Sequence, residues 1–236
     1  MTTFYDALET RSREAREAAL MAALPQQILH AQQASPAFAG ILAGVDAAGV
    51  TSRAALARLP VTRKSELLAL QQQHRAPGGS GNVFGGFSAL AFGAAMPRVF
   101  ASPGTLYEPE GTRRDYWRVA RAMYAAGIRP GELVHNAFSY HFVPAGSIME
   151  SGAHALGCTV FPRGTGQTEQ QVQAIAELRP QAYAGTPSFL KIIVEKAASM
   201  GISLPSMRKA LVSGEAFPPS LRDWLAERGI HAYQCY

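Results

Sequence analysis

Along the first sixty residues apolar side chains recur at roughly helical spacing. Phe4, Leu8, Ala15, Ala19 and the run Met21–Leu24 sit among Arg and Glu, and Gln26 to Gln33 continue the pattern. A stripe of that period predicts helices, and Ser35-Pro36 should end them, because the residue before proline is pushed out of the helical region. Pro60 marks another break, after which Thr62–Ser65 opens a short helix through Leu70. The segment Ala76-Pro-Gly-Gly-Ser-Gly-Asn82 is dense in chain-punctuating residues and predicts a loop.

Beyond residue 97 the pattern changes to short apolar runs alternating with longer helical ones. Strands are expected at Arg98–Ala101, Leu133–Phe138, Cys158–Phe161, Ala182–Ala184, Lys209–Val212 and Ile230–Cys235. Helices are expected from Arg113 to Ala126, Ala145 to Leu156, Thr168 to before Pro180, Pro187 to Met200 and Pro218 to Arg228. Strands of three to six residues alternating with helices of ten to fifteen indicate βαβ units. The reading is an α/β fold, a mostly parallel sheet flanked by helices, with a helical N-terminal region at 1–97 (Gly-rich loop at 76–82) and a βα-alternating sheet subdomain at 98–236. In such sheets ligands bind outside the carboxyl ends of the strands. The loops 102–111, 138–146, 162–168, 185–188 and 213–217 are therefore where chemistry is sought.

Composition narrows the classes. Charged residues are 17% and hydrophobic residues 47%, enough for a sizeable core and contrary to intrinsic disorder. The segment from Met1 to Arg16 is polar and has no apolar stretch of the kind a secretory signal needs. The longest uncharged stretch, Ala76 to Pro97, is interrupted by seven glycine and asparagine positions from Gly78 to Gly93 and is no spanning helix. The expectation is a cytoplasmic protein that engages neither membrane nor nucleic acid. Its +5 charge comes from arginines and lysines scattered singly or in pairs rather than in a patch. Cys158 and Cys235 lie in apolar segments and read as small buried hydrophobes.

Of the rim loops, 101–111 offers Ser102, Gly104 and Thr105 beside Tyr107, Glu108 and Glu110. A phosphate cradle needs small residues whose N–H groups converge on the anion, plus a cation. On that ground an ordered turn outweighs a phosphate site here. The loop Phe138-Ser139-Tyr140-His141-Phe142 through Gly146 is aromatic for a strand end. It suits an apolar acid pocket with His141 donating to a carboxylate, or equally a packed core with His141 solvated. Ser213-Gly214-Glu215-Ala216 joins a strand to a helix, and Gly214 permits close backbone approach to a flat ligand. No G-x-S-x-G elbow, H-E-x-x-H pair, G-x-G-x-x-G or P-loop motif occurs, so no nucleophile or metal site is visible.

Taken in order, Leu59-Pro-Val-Thr-Arg-Lys-Ser-Glu-Leu67, Gly166-Gln-Thr-Glu-Gln170, Gly185-Thr-Pro-Ser-Phe189 and Ser213-Gly-Glu-Ala216 resemble the phenylacetate–CoA ligase family of adenylate-forming enzymes over nearly the whole chain. The resemblance implies the N-terminal domain of such an enzyme, incomplete at Tyr236, without the part that carries the adenylation lysine. Members activate a carboxylic acid with ATP and Mg²⁺ to an acyl adenylate and pass the acyl group to coenzyme A. On this chain the resemblance places the adenine against Ser213, Gly214, Glu215, Ala216 and Tyr236. It places the acid, aromatic ones included, against Phe138, Ser139, Tyr140, His141 and Gly146. The phosphate loop would be Ser102, Gly104 and Thr105, but Tyr107 stands where the family has glycine and Glu108 where it has lysine. Beside a triphosphate that reversal changes the sign of a term on the order of 4 kcal/mol per contact at short range. The catalytic residues are unassigned, and no protein metal site is expected. The chain alone is expected to lack complete ligase activity. A non-catalytic relative that binds an acyl, CoA or nucleotide ligand, or serves as a scaffold, is the alternative, and a homodimer is left open.

Overall fold

The computed structural model describes residues 3–236; Met1 and Thr2, where the polar N-terminal segment begins, lie outside them. The described chain divides into two compact units, residues 6–112 and residues 113–236, the latter joined by residues 3–5.

In the first unit, α1 (Arg13–Ala34) begins at Ser12, whose side chain accepts the Ala15 N–H, and ends at Ser35. Ser35 then caps α2 (Pro36–Ile41) by accepting from the Phe38 N–H, while its hydroxyl donates to Gly86 O at 2.8 Å. One serine closes one helix and opens the next, as Ser-Pro chemistry favours. Ile28, Leu42, Ala47, Val50 and Ala55 form the small core of this unit, the last from α3 (Arg53–Leu56). The helix α4 (Lys64–Arg75) carries Gln71, 2% exposed, which holds a hairpin of β1 (Arg98–Ser102) and β2 (Leu106–Glu110). Its side chain donates to Tyr107 O at 3.0 Å and accepts from Tyr107 N–H at 2.9 Å, so it serves the hairpin as an extra strand would.

That hairpin corrects the sequence reading. The run at 98–101 was expected among the βα units, but it pairs antiparallel with 106–110, and the unit boundary falls after Thr112 rather than at 97. The reason is length: three residues join Ser102 to Leu106, and a parallel return needs a crossover of a dozen or more.

The second unit is a five-stranded parallel sheet in the order β4–β3–β5–β6–β7. The strands are β3 (Leu133–Asn136), β4 (Thr159–Pro162), β5 (Ala182–Gly185), β6 (Lys209–Val212) and β7 (His231–Gln234). The chain passes from β3 to β4 on one side and then crosses back to β5 on the other. Because such crossovers are right-handed, a reversal of direction sends the helices to opposite faces. Accordingly α6 (Ala145–Leu156) packs with α5 (Ala120–Ala125) over Val134, Ala182, Ala184 and Leu211. On the other face α7 (Thr168–Leu178), α8 (Pro187–Ser199) and α9 (Pro219–Ala226) pack over Tyr183, Ala210, Val212 and Ala232. Leu190 and Ile193 of α8 are fully buried, each contributing roughly 1.5–3 kcal/mol of apolar transfer. Two helices on one face and three on the other leave Tyr233 of β7 half exposed on the thinner side.

The helix expected from Arg113 starts only at Ala120. Asp115 accepts from the N–H groups of Val119 (2.9 Å) and Ala120 (3.3 Å), fixing the start there, and Asp115 and Arg118 both adopt positive φ in the turn before it. Among the described residues no helix is long and apolar enough to cross a membrane.

Beneath the sheet's far face His135, fully buried, bonds Gln171 Oε1 at 2.6 Å, and its Nδ1 has no hydrogen-bond partner among the described residues. Gln171 in turn donates to the carbonyls of Gly164 and Gly166. Burial lowers the His135 pKa from its ordinary 6.5, outweighing the opposing Gln171 bond. The unfolded chain therefore takes a proton near 6.5 that the folded chain refuses until lower pH. This residue's contribution to stability is full above that point and declines as pH falls below it. The drop in melting temperature between about pH 7 and about pH 5 should be smaller in His135→Leu than in the parent; parallel curves would contradict this. Separately, Gln71→Ala should loosen the hairpin by roughly 1–3 kcal/mol, the cost of leaving buried backbone groups unpaired. Faster hydrogen exchange at the Tyr107 amide, with the sheet unit unchanged, is the readout.

Candidate functional site

At the carboxyl end of the sheet the loops are ordered by side chains rather than by water-facing chance. Asn136, fully buried at the end of β3, donates from Nδ2 to Tyr140 Oη (2.7 Å) and to Gly146 O (2.9 Å), and its Oδ1 accepts the Phe138 N–H at 3.2 Å. The Tyr140 hydroxyl in turn donates to Glu150 Oε2 of α6 at 2.7 Å. A Cβ at Gly146 would stand 2.8 Å from Ser139 O and from the Tyr140 ring, so only glycine fits there. These contacts fold the loop back on the start of α6.

The next loops are tied to each other. Thr186 caps α8 by accepting the Phe189 N–H (3.3 Å). Glu215 Oε1 accepts the Ser188 N–H at 2.7 Å, a carboxylate at a helix N-terminus where the backbone dipole favours it. Gln234 of β7 donates to Glu215 O at 2.9 Å, and the Ser213 N–H bonds Gly185 O at 3.2 Å.

The open corner between α5, α6 and these loops is a cavity of about 330 Å³, at the lower end of ligand-pocket sizes. Its apolar wall comes from Trp117, Val119, Ala122, Ile148 and Met149. The strand ends contribute Phe138, Ser213, Gly214, Cys235 and Tyr236, and Arg118 stands at its edge. Gly214 is exposed with φ +86, and a Cβ there would lie 3.7 Å from Thr186 Cγ2 and 3.8 Å from Phe138 Cε1. The backbone at this point is thus bare toward the cavity and bordered by an aromatic edge. A flat apolar ligand fits such a floor. Burial raises the Cys235 thiol above its ordinary range, opposed by a Ser213 hydrogen bond, so it stays protonated and offers no nucleophile.

Of the residues singled out from sequence, Phe138, Ser213, Gly214 and Tyr236 come together in this cavity. Glu215 and Ala216 do not line it; Glu215 is committed to α8. Ser139, Tyr140, His141 and Gly146 do not line it either. Tyr140 and Gly146 hold the loop, and His141 is exposed, its N–H bonded to Ser139 Oγ at 3.1 Å. Ile148 and Met149 follow Ala145 at helical spacing on α6 and were legible as one face of that helix. Trp117 and Arg118 were not, since they sit in the turn that a continuous helix over 113–126 would have removed.

Ser102, Gly104 and Thr105 form the tip of the β1–β2 hairpin in the first unit. There the Thr105 N–H is spent on Ser102 O (3.1 Å) and Pro103 has none to give. Arg75 donates to Thr105 O at 3.2 Å and lies 4.9 Å from the centre of the Tyr107 ring. The tip is a turn closed by its own backbone hydrogen bond, which leaves fewer of its N–H groups free than a phosphate cradle uses. Among the described residues no three of His, Cys, Asp and Glu gather to hold a metal ion.

Filling the cavity by Ile148→Trp should weaken binding of adenosine or an aromatic acid at least tenfold, while His141→Ala should leave it within about twofold. Calorimetric titration of both variants checks the assignment; a reversed order would return the acid pocket to the 138–146 loop.

The sequence model of a family described as AMP-binding enzyme matches residues 112–236. A phenylacetate–coenzyme A ligase of Thermus thermophilus is 32% identical over 231 residues, covering 93% of this chain and 49% of the relative. One from Aromatoleum evansii is 30% identical over 241 residues, covering 97% and 52%. The chain thus spans about half the length of the curated relatives it matches. Among solved structures, a 2-hydroxyisobutyryl-CoA ligase in an open conformation, in complex with 2-HIB-AMP and CoA, superposes with a TM-score of 0.80 at 25% identity, over 93% of this chain and 49% of that one. The match spans the sheet unit whose loops build the cavity and extends across nearly the whole chain. The chain belongs to the AMP-binding enzyme family and resembles the phenylacetate–coenzyme A ligases within it.

Proposed function

We propose that this chain forms the acid- and adenine-binding half of an acyl- or aryl-CoA ligase that activates a carboxylic acid with ATP and transfers it to coenzyme A. The observation that carries the reading is the meeting of Phe138, Ser213, Gly214 and Tyr236 around one apolar cavity. The likeness to phenylacetate–coenzyme A ligases supports the reaction class. In this reading Gly214 and Tyr236 hold the base, stacking supplying contact area without hydrogen-bond readout, and the wall of Trp117, Ile148 and Met149 takes the apolar part of the acid. ATP, when bound, supplies the adenylyl group; the chain's own residues position the acid and keep water from its apolar end.

A second reading, a non-catalytic relative that binds the same ligands, rests on the hairpin. Glu108 stands where related loops carry lysine, and the turn's Thr105 amide is already engaged. Pyrophosphate release with a panel of aromatic and aliphatic acids separates the two. The ligase reading predicts acid-dependent release by the full-length gene product and none by residues 1–236 alone. In the same assay Tyr107→Gly with Glu108→Lys should raise the apparent ATP affinity by about tenfold or more, as expected when a repulsive charge becomes attractive. Absence of release from the full-length product with every acid, with adenosine still bound, would favour the non-catalytic reading.

A further inference from the structure

The hairpin of β1 and β2 has two outer edges, and the chain treats them differently. Along β2 the main chain of Tyr107 is bonded to Gln71, and Pro109 has no N–H to offer a further strand. That edge is closed. In an antiparallel pair, residues directly opposite turn their N–H and C=O groups either both into the shared ladder or both away from it. Tyr107 turns away from the ladder toward Gln71, and the alternation puts Pro109 in the same position. Their opposite numbers, Ala101 and Val99, therefore point their main-chain groups outward along the far side of β1. Among the described residues no hydrogen bond from outside the hairpin reaches the main chain of Val99 or Ala101. The Val99 side chain is 39% exposed. The devices that guard a free strand edge are missing from this stretch: neither residue is charged, neither is proline, and the register runs from Arg98 to Ser102 without a bulge.

We propose that β1 is the contact of a two-fold dimer, in which it pairs antiparallel with β1 of a second copy of this chain. A second copy is the occupant that the strand's own sequence fits. Centred on Phe100, the pairing sets Val99 of each copy opposite Ala101 of the other, so outward groups meet outward groups and form two complete hydrogen-bonded pairs. Both side chains are apolar, and nothing there repels. Arg98 falls opposite Ser102, and its charge is already met by Glu110 at 2.8 Å. No charged residue lies between Ala76 and Pro97, so the net charge of +5 does not set two copies against each other at this strand. Pro97 and Pro103 fall opposite one another and end the pairing on both sides. A shifted register forms fewer bonds: with Val99 opposite itself, Ala101 meets Pro97, which has no N–H. Two joined hairpins make a four-stranded sheet, whereas a two-stranded hairpin is marginal alone. One face of that sheet would carry Val99, Ala101, Tyr107 and Pro109, all exposed or half-buried in the single chain. The assembly also closes. A contact from β1 to β2 would repeat without limit, and the blocked β2 edge forbids it, while a contact from β1 to β1 is complete with two chains.

Sedimentation of residues 1–236 between about 1 and about 100 µM, with hydrogen exchange followed at both ends of that range, tests the dimer. The parent should sediment as one chain at the low end and as two at the high end. The Ala101 amide should gain roughly tenfold or more protection in the dimer, while the Tyr107 amide, held by Gln71 within one chain, is protected throughout. Val99→Pro removes an outward donor and no bond of the β1–β2 ladder, so it should weaken association about tenfold or more and leave Tyr107 protected. If Tyr107 loses its protection, the hairpin has failed to fold, and Val99→Lys takes the place of that variant, with a charge on the edge and the same loss of association expected. A parent that stays a single chain at every concentration overturns the inference, as does a dimer in which Ala101 remains unprotected or which a folded variant leaves intact. The full-length gene product is measured alongside. If it is a single chain throughout and still protects Ala101, the edge belongs to a strand of its own. If it gains that protection only when another protein is added, the edge belongs to that partner. Either result overturns the inference.

Discussion

Strand β3 pairs in parallel with both β4 and β5, and the chain visits them in that order. The rest of the second unit follows from that reversal. A right-handed crossover toward β4 lays α6 on one face, and the return toward β5, β6 and β7 lays α7, α8 and α9 on the other. Cover is therefore uneven. Where α5 and α6 run out, above β6 and β7, the sheet keeps an open corner at its carboxyl edge, and the strand-end residues Phe138, Ser213, Gly214 and Cys235 are exposed to one shared space.

The loops at that edge are held by hydrogen bonds of polar side chains. Asn136, Tyr140 and Glu150 fix the first loop, Gln171 and His135 fix the loop after β4, and Glu215 bridges the loops after β5 and β6. Asn136 and Gln171 are fully buried and would be costly to bury alone, and each has hydrogen-bond partners outside its own strand or helix. The residues that read as chemical in the sequence are thus partly the frame around the site. Tyr140 and Glu215 hold loops so that Phe138 and Gly214, with no polar side chain to offer, can form the walls.

The sheet was legible because its strands are short apolar runs separated by helices with clear periods, and Gly157 and Gly201 mark two of the helix ends. The helix expected from about Ala145 to Leu156 coincides with α6. What failed was governed by tertiary contact. The hairpin of 98–102 with 106–110 is held by Gln71, thirty-six residues from Tyr107, and 106–110, with Pro109 and two glutamates, carries no apolar run to mark it as a strand. The late start of α5 depends on a side-chain cap at Asp115 within a segment whose apolar spacing is helical throughout. That single turn hid Trp117 and Arg118, and with them one wall of the cavity. For the 138–146 loop, the two alternatives divide within the loop itself: Phe138 faces the cavity while His141 is solvated.

The central claim is that strand ends far apart in sequence hold one ligand together. Backbone and indole NMR of residues 1–236, recorded as adenosine is added, addresses it directly. Joint, saturable shifts at the amides of Phe138 and Gly214 and at the Trp117 indole, with one common dissociation constant, are the predicted result. Shifts confined to one of these positions, or shared ones that spare Gly214 and Trp117, would contradict the account.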